Sequence, residues 1–280
     1  MKTAAIGTAM MILATGSAFA GGLFDDDCKY TAPRNLTASA AGVTKVVIKA
    51  DAGWLKVDGK PGAAQVVTTG TACTSDDDFL GKITLTQHRS GSTLYIDANI
   101  PNRTVIFGFS QARLDFGVTL PAGLEVSIDD GSGWMKVANT GPLAIDDDSG
   151  AIEVRNVRGP VTIDDDSGDI LVDAVIGNVK INDDSGGIDV KNVNGSVEIE
   201  DDSGGIVIAR IEGTVHVKDD DSGSIIVSNV KHDVLIDADS SGSIEVADVG
   251  GNFTVGSKDS GSIDYSRVAG RVRVPERFRR

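Results

Sequence analysis

The sequence predicts an all-β chain, a two-sided parallel β-solenoid of about 18- to 19-residue coils entered through an irregular N-terminal β cap. Three observations carry that expectation. Ser-Gly recurs at Ser132, Ser149, Ser167, Ser185, Ser203, Ser222, Ser241 and Ser260, in steps of 17 to 19 residues. A fixed period near 20 marks coils that cannot bury their apolar face alone and must stack. Within each copy, apolar side chains stand at offsets 0, 2, 5, 9 and 11, as in Ile152, Val154, Val157, Val161 and Ile163. The two period-2 pairs read as two short strands, each with one face turned inward. Finally, these positions are mostly Ile and Val, which suit a pleated, half-buried surface, and no long helical periodicity follows residue 20.

Taken in chain order, Met1 to Ala20 reads as a secretory leader. Lys2 gives the positive start, Ala4 to Thr15 the apolar run, and Ala18-Phe19-Ala20 the small-x-small cleavage site. The apolar run is too short to span a bilayer, and no later stretch approaches ~20 apolar residues, so no integral membrane helix is expected. The mature chain is expected to begin at Gly21, without a Cys there to carry a lipid, in a bacterial periplasm, at the cell surface or secreted.

Residues 21–124 form the irregular β segment and cap. Ala52-Gly53-Trp54-Leu55-Lys56-Val57 parallels Ser132-Gly133-Trp134-Met135-Lys136-Val137, and Val46 to Lys49, Ile83 to Gln87, Leu94 to Ala98 and Arg113 to Leu120 read as strands. The two tryptophans fit a cap over the first coils; the alternative is an aromatic surface that stacks on a ligand. Cys28 and Cys73 are the two cysteines of an exported chain, so a disulfide is expected. Neither lies in a CxxC or beside a His, which speaks against a metal-binding thiol.

Residues 125–274 are the repetitive solenoid, with two turns per coil. One carries Gly at offset 7, at Gly159, Gly177, Gly195, Gly213, Gly251 and Gly270, with His232 as the one substitute. That recurrence predicts a left-handed backbone there. The other turn is acidic, as in Asp146-Asp147-Asp148-Ser149-Gly150. Residues 275–280 end a basic stretch holding Arg267, Arg271, Arg273, Arg277, Arg279 and Arg280. It reads as a charged cap that blocks end-to-end growth; the alternative is a docking tail for anionic polymers or for another copy.

The acidic turn is the one constellation that recurs enough to suggest chemistry. Two places before each Ser stand Asp130, Asp147, Asp165, Asp183, Asp201, Asp220 and Asp239, with Lys258 breaking the row. Stacked ~4.8 Å apart, such carboxylates repel by about 1 kcal/mol per pair even in bulk water. Calcium held by Asp147, Asp165, Asp183, Asp201 and Asp220 would relieve this. The expectation placed first is simpler: the acids bond their own turns and face water. The nonapeptide of calcium-binding β-rolls is missing, and no other cofactor is expected.

A catalytic pair should be singular, with the two pKa values pushed apart, whereas these acids are serial and alike. His88, His216 and His232 occupy unrelated coil positions, so no catalytic residue is named. The net charge of −15 disfavours nucleic acid as a partner.

The lead-in Val118 to Leu124 and the serial Ser-Gly-x-Ile-x-Val strands, such as Ser149 to Val154, resemble the bacterial exported family labelled "putative adhesin", a domain of unknown function. The resemblance spans roughly residues 40–274 and implies no catalytic residues. Together these readings predict an exported, non-enzymatic β-solenoid, adhesin-like in surface attachment or acting as an envelope interaction module, its ligand unknown. The alternatives are a calcium-stabilised structural repeat protein and, less favoured, a polysaccharide-degrading enzyme.

Overall fold

A computed structural model describes residues 28–101 and 112–278. The leader Met1 to Ala20 and the last two arginines lie outside the described residues. In the N-terminal part the strands are β1 (Tyr30–Ser39), β2 (Lys45–Lys49), β3 (Leu55–Lys60), β4 (Gln65–Thr74), β5 (Thr84–Ser90), β6 (Thr93–Asn99), β7 (Ala112–Pro121), β8 (Glu125–Asp130) and β9 (Met135–Ala138), with a single helical turn α1 (Asp77–Leu80). The repeats supply β10 (Leu143–Asp147), β11 (Ile152–Arg158), β12 (Val161–Asp165), β13 (Ile170–Ile176), β14 (Val179–Asp183) and β15 (Gly186–Asn194). Two long strands follow, β16 (Val197–Ile211) and β17 (Val215–Val230), then β18 (Val234–Asp239), β19 (Ser241–Val249), β20 (Phe253–Lys258), β21 (Ser262–Val268) and β22 (Val272–Arg273).

Each coil contributes one strand to each of two facing sheets. On the first, β8, β10, β12 and β14 pair in parallel, in register one repeat apart, so that Ile145 lies beside Ile163 and Ile163 beside Ile181. On the second, β9, β11, β13 and β15 do the same, Ile152 beside Ile170 and Ile170 beside Ile188. β16 and β17 run unbroken around the acidic turn and belong to both sheets. The strands therefore pair as the repeat predicts, coil upon coil.

The interior follows the offsets read from the sequence. In the six coils from Ile152 to Val255, every residue at offsets 0, 2, 5, 9 and 11 is at most 4% exposed. Fully burying a Val or Ile contributes about 1.5–3 kcal/mol, and here burial needs a coil on each side. The last coil lacks one. Ile263 and Val274 remain buried, but Val268 and Val272 are only half-buried and Tyr265 is 38% exposed. Outward side chains pair across coils, as in Lys45–Glu125 at 2.9 Å and Lys136–Glu153 at 2.7 Å. Such exposed pairs are each worth well under about 1 kcal/mol.

At the repeated glycine, Gly159 and Gly177 take a positive φ of 148° and 155°, but the compact left-handed turn shared by the coils lies elsewhere. It falls three residues earlier, at offset 4, where Asn156, Ala174, Asn192, Arg210, Asn229, Asp248 and Arg267 have φ between 53° and 62°. Asn and Asp tolerate this region better than most residues. Crowding explains the glycine at offset 7: a Cβ on Gly195 would stand 2.1 Å from the Gly177 carbonyl oxygen in the coil beside it.

The N-terminal coils are stacked out of chain order. β2 lies between β6 and β8, and β3 lies between β7 and β9, all in parallel. The coil built from β6 and β7 thus sits outside the earlier coil of β2 and β3, and the chain crosses back to continue the stack. Antiparallel strands finish this end: β5 against β6, β4 against β7, and β1 against β4. A disulfide joins Cys28 to Cys73 with Cα atoms 5.4 Å apart, tying the start of β1 to the end of β4.

Candidate functional site

The acidic turn is the corner at which the first sheet passes into the second. Its central aspartate does not face water as expected. Along β12 the burial alternates, Val161, Ile163 and Asp165 inward and Thr162 and Asp164 outward. Strand pleating alone therefore turns Asp165 into the interior. The same holds for Asp130, Asp147, Asp183, Asp201, Asp220 and Asp239, all at most 3% exposed. Successive members pair directly in the parallel ladder from Asp130 to Asp220. The result is a column of carboxyl groups running up the inside of the corner, flanked by exposed Asp148, Asp166, Asp184 and Asp202 outside.

The repeat length changes within this column, yet the column does not break. From Ser203 onward the step grows from 18 to 19 residues. One extra residue in a strand would normally flip every following side chain to the other face. Instead a register shift between Ile199 and Glu200 absorbs it as a bulge, and Asp201 stays beside Asp220.

The column begins beside Ala50, and it ends at Lys258. Lys258 Nζ lies 2.6 Å from Asp239 Oδ2, with both side chains fully buried. Between the ends, hydrogen bonding is sparse. Gly131 N donates to Asp130 Oδ1 at 3.0 Å, and Ser167 N and Ser185 N donate to Asp165 Oδ1 and Asp183 Oδ1 at 3.3 Å. No hydrogen bond of ordinary geometry reaches either carboxyl oxygen of Asp147, Asp201 or Asp220 among the described residues; the Ser149, Ser203 and Ser222 amides lie only near enough to favour the charged form.

Burial is the main cause of the resulting pKa shifts. It pushes Asp130, Asp147, Asp183 and Asp220 up to about 7 and Asp165 and Asp201 up to about 6. Neighbouring column carboxylates add to the rise at Asp147, Asp183 and Asp220. The turn amides hold the shifts back. Among the described residues, no three His, Cys, Asp or Glu side chains converge in a group able to hold a metal ion. The column presents its members one above another rather than around a point.

Ser and Gly in the same corner are structural. The Ser167, Ser185 and Ser203 hydroxyls donate to carbonyls of the preceding coil, Asp148, Asp166 and Asp184, at 3.2–3.3 Å. A Cβ on Gly204 would fall 1.5 Å from the Gly186 oxygen, so nothing larger fits there.

The histidines stay apart. His88 stacks on Tyr95 at 4.6 Å, His216 meets Asp237 at 2.7 Å, and His232 is an exposed turn residue.

The two tryptophans do come together. Ala52 bridges to Ser132, and β3 pairs with β9, so Trp54 and Trp134 occupy adjacent rungs of the outer surface. Their rings stack 5.5 Å apart at 12°. Trp54 is half-buried and its amide donates to Asp115 Oδ1 at 3.0 Å, whereas Trp134 is 48% exposed. The following rung carries only Ala151, beside Trp134. The matching hexapeptides around the two tryptophans were the sequence signal for this pair.

Against known families, the Toastrack DUF4097 model matches residues 46–274. The chain belongs to that family. The match takes in both the out-of-order N-terminal coils and the regular Toastrack repeats. Among solved structures, a "putative adhesin" from Bacteroides fragilis is similar at 15% identity and a TM-score of 0.43, covering 88% of this chain and 97% of that one. A "putative cell adhesion protein" from Clostridium sporogenes is similar at 9% identity and a TM-score of 0.29, covering 87% and 98%. No curated protein matches the chain. Among the described residues no helix is long and apolar enough to cross a membrane.

Proposed function

We propose that this Toastrack protein is an exported, non-enzymatic binding module that attaches to a ligand of the cell envelope or surface. The observation that carries the reading is the Trp54–Trp134 stack. Trp134 is 48% exposed; Ile176, Val207 and Ile226 are also exposed on this surface, but Trp134 alone of these stacks on a second aromatic ring. Exposed aromatics held by a rigid neighbour are the residues that anchor interfaces, because they bring large apolar area at little entropic cost. The stack sits on paired strands rather than a loop, so its geometry is fixed before binding. Export is supported by the leader-like Met1 to Ala20 and by the Cys28–Cys73 disulfide, which suits an oxidising compartment. Separated histidines and a serial rather than singular set of acids support a non-enzymatic role.

Cell fractionation with surface proteolysis tests the location, and pull-down of the purified chain with isolated envelope polymers tests attachment. Trp134→Ala is expected to lower retention at least about 10-fold, in the range of an interface anchor, while leaving the melting temperature nearly unchanged. Retention equal to that of the unsubstituted protein would remove the stack from the proposal.

A further inference from the structure

Seven aspartates enter the interior of this protein, and one cation, Lys258, enters with them. Among the described residues these are the only charged side chains that are fully buried. Lys258 is committed to Asp239. Its charge still reaches Asp220 and holds that shift back, while Asp239 beside Asp220 raises it; from Asp130 to Asp201 the column has no counter-charge of its own. The groups that face it offer none. The second sheet turns only Ile and Val toward the interior from β11, β13 and β15. Across the backbone, Asp51 and Asp129 stand beside Asp130, and Asp148, Asp166, Asp184 and Asp202 beside their column neighbours; all are acidic.

An isolated buried carboxylate is costly, and a row of them at ~4.8 Å is more so. Yet the β-bulge at Lys218, opposite the Ile199–Glu200 step, keeps the row intact where a one-residue insertion would otherwise turn it outward. A carboxylic acid offers what the column lacks. Its O–H donates to the carboxylate on the next rung, which pairs the orphaned oxygens of Asp147, Asp201 and Asp220 and removes a negative charge at once.

We infer that the aspartate column is a proton-binding site, in which protons bridge successive carboxyl groups from Asp130 to Asp220 and their loss weakens the acidic corner. The protons belong to the column as a whole rather than to single residues. No covalent step is involved; each proton is taken from, and returned to, water.

The sign of the pH dependence follows. The unfolded chain releases these protons near pH 4, while the folded column holds them to about pH 6–7. Between those limits the folded state binds more protons, so stability falls as pH rises. The surface carboxylates Asp58, Glu153, Glu198 and Asp248 have lowered pKa values, and their effect falls below that window.

Infrared spectra of the purified chain, with parallel melting curves, test the inference. A carboxylic-acid C=O band is expected at pH 6 and should fade toward pH 9. The melting temperature should drop by at least about 5 °C between pH 5 and pH 8. In a triple Asp147→Asn, Asp183→Asn, Asp220→Asn variant, more than half of that drop should vanish. No acid band at pH 6, or an unchanged pH profile in the variant, would overturn the inference. If the variant does not fold, the band in the unsubstituted protein decides alone. Calcium chloride that raises the melting temperature and erases the band at pH 6 would assign the column to cations and also overturn it.

Discussion

At its N-terminal end the stack closes with strands that run against their neighbours, β5 on one sheet and β4 with β1 on the other, and with a disulfide. At its C-terminal end β21 pairs with β19 alone, β22 is only two residues long, and a short 3-10 turn at Glu276–Phe278 follows. The interior column mirrors the difference: it starts beside apolar Ala50 and stops at the buried Asp239–Lys258 pair. Parallel coils always leave two open edges. This chain covers one with structure from outside the repeat and tapers the other to a short last coil that water reaches.

Substitutions in the middle and at the end of the stack should separate these situations most widely. Val190→Asp, at a position with 0% exposure, is expected to lose at least about 4 kcal/mol in urea unfolding. Tyr265→Asp, at the equivalent place in the last coil, should lose less than about 1 kcal/mol, because water already reaches it. Equal losses would mean that the last coil is covered in solution.

Lys258→Met probes the charged end of the column. Removing one partner of a buried ion pair costs about 3–5 kcal/mol, and that loss is expected at pH 8. A loss below about 1 kcal/mol, the range of an exposed pair, would show that water reaches the pair in solution.

For the disulfide end, a Cys28→Ser, Cys73→Ser variant should lose about 2–4 kcal/mol, the range for a closed loop of this size, the two cysteines being 45 residues apart. Hydrogen exchange should quicken in β1 and β4 and stay slow in β11 to β15. Uniform quickening would show that the cap and the repeats unfold together. The smallest effect is expected for Trp134→Ala, within about 0.5 kcal/mol; a larger loss would make the tryptophan stack part of the cap rather than a surface for binding.

The period and the alternation of Ile and Val were enough to place the coils, because each inward position is repeated several times with the same chemistry. The Asp column was legible by the same rule and was missed. Val161, Ile163 and Asp165 form one unbroken alternation, but charge made Asp165 read as part of a turn. A positive φ was sought at the repeated glycine and occurs at Gly159 and Gly177, whereas the left-handed position shared by the coils is held at Asn156, Asn192, Asn229 and Asp248. Nothing in the local sequence shows that β6 and β7 lie outside β2 and β3. That order depends on which of several similar strand faces meet, and their apolar patterns are nearly interchangeable.

That threading gives the molecule a direction. The coil of β2 and β3 has both of its neighbours supplied by later chain, so a duplication cannot extend the stack at that end without breaking the crossing. New coils can enter only among the regular repeats between Gly141 and Lys258. Each such unit would lengthen the rod by ~4.8 Å and bring one more aspartate into its interior. In this family member, reach and proton demand would therefore rise together, one rung at a time.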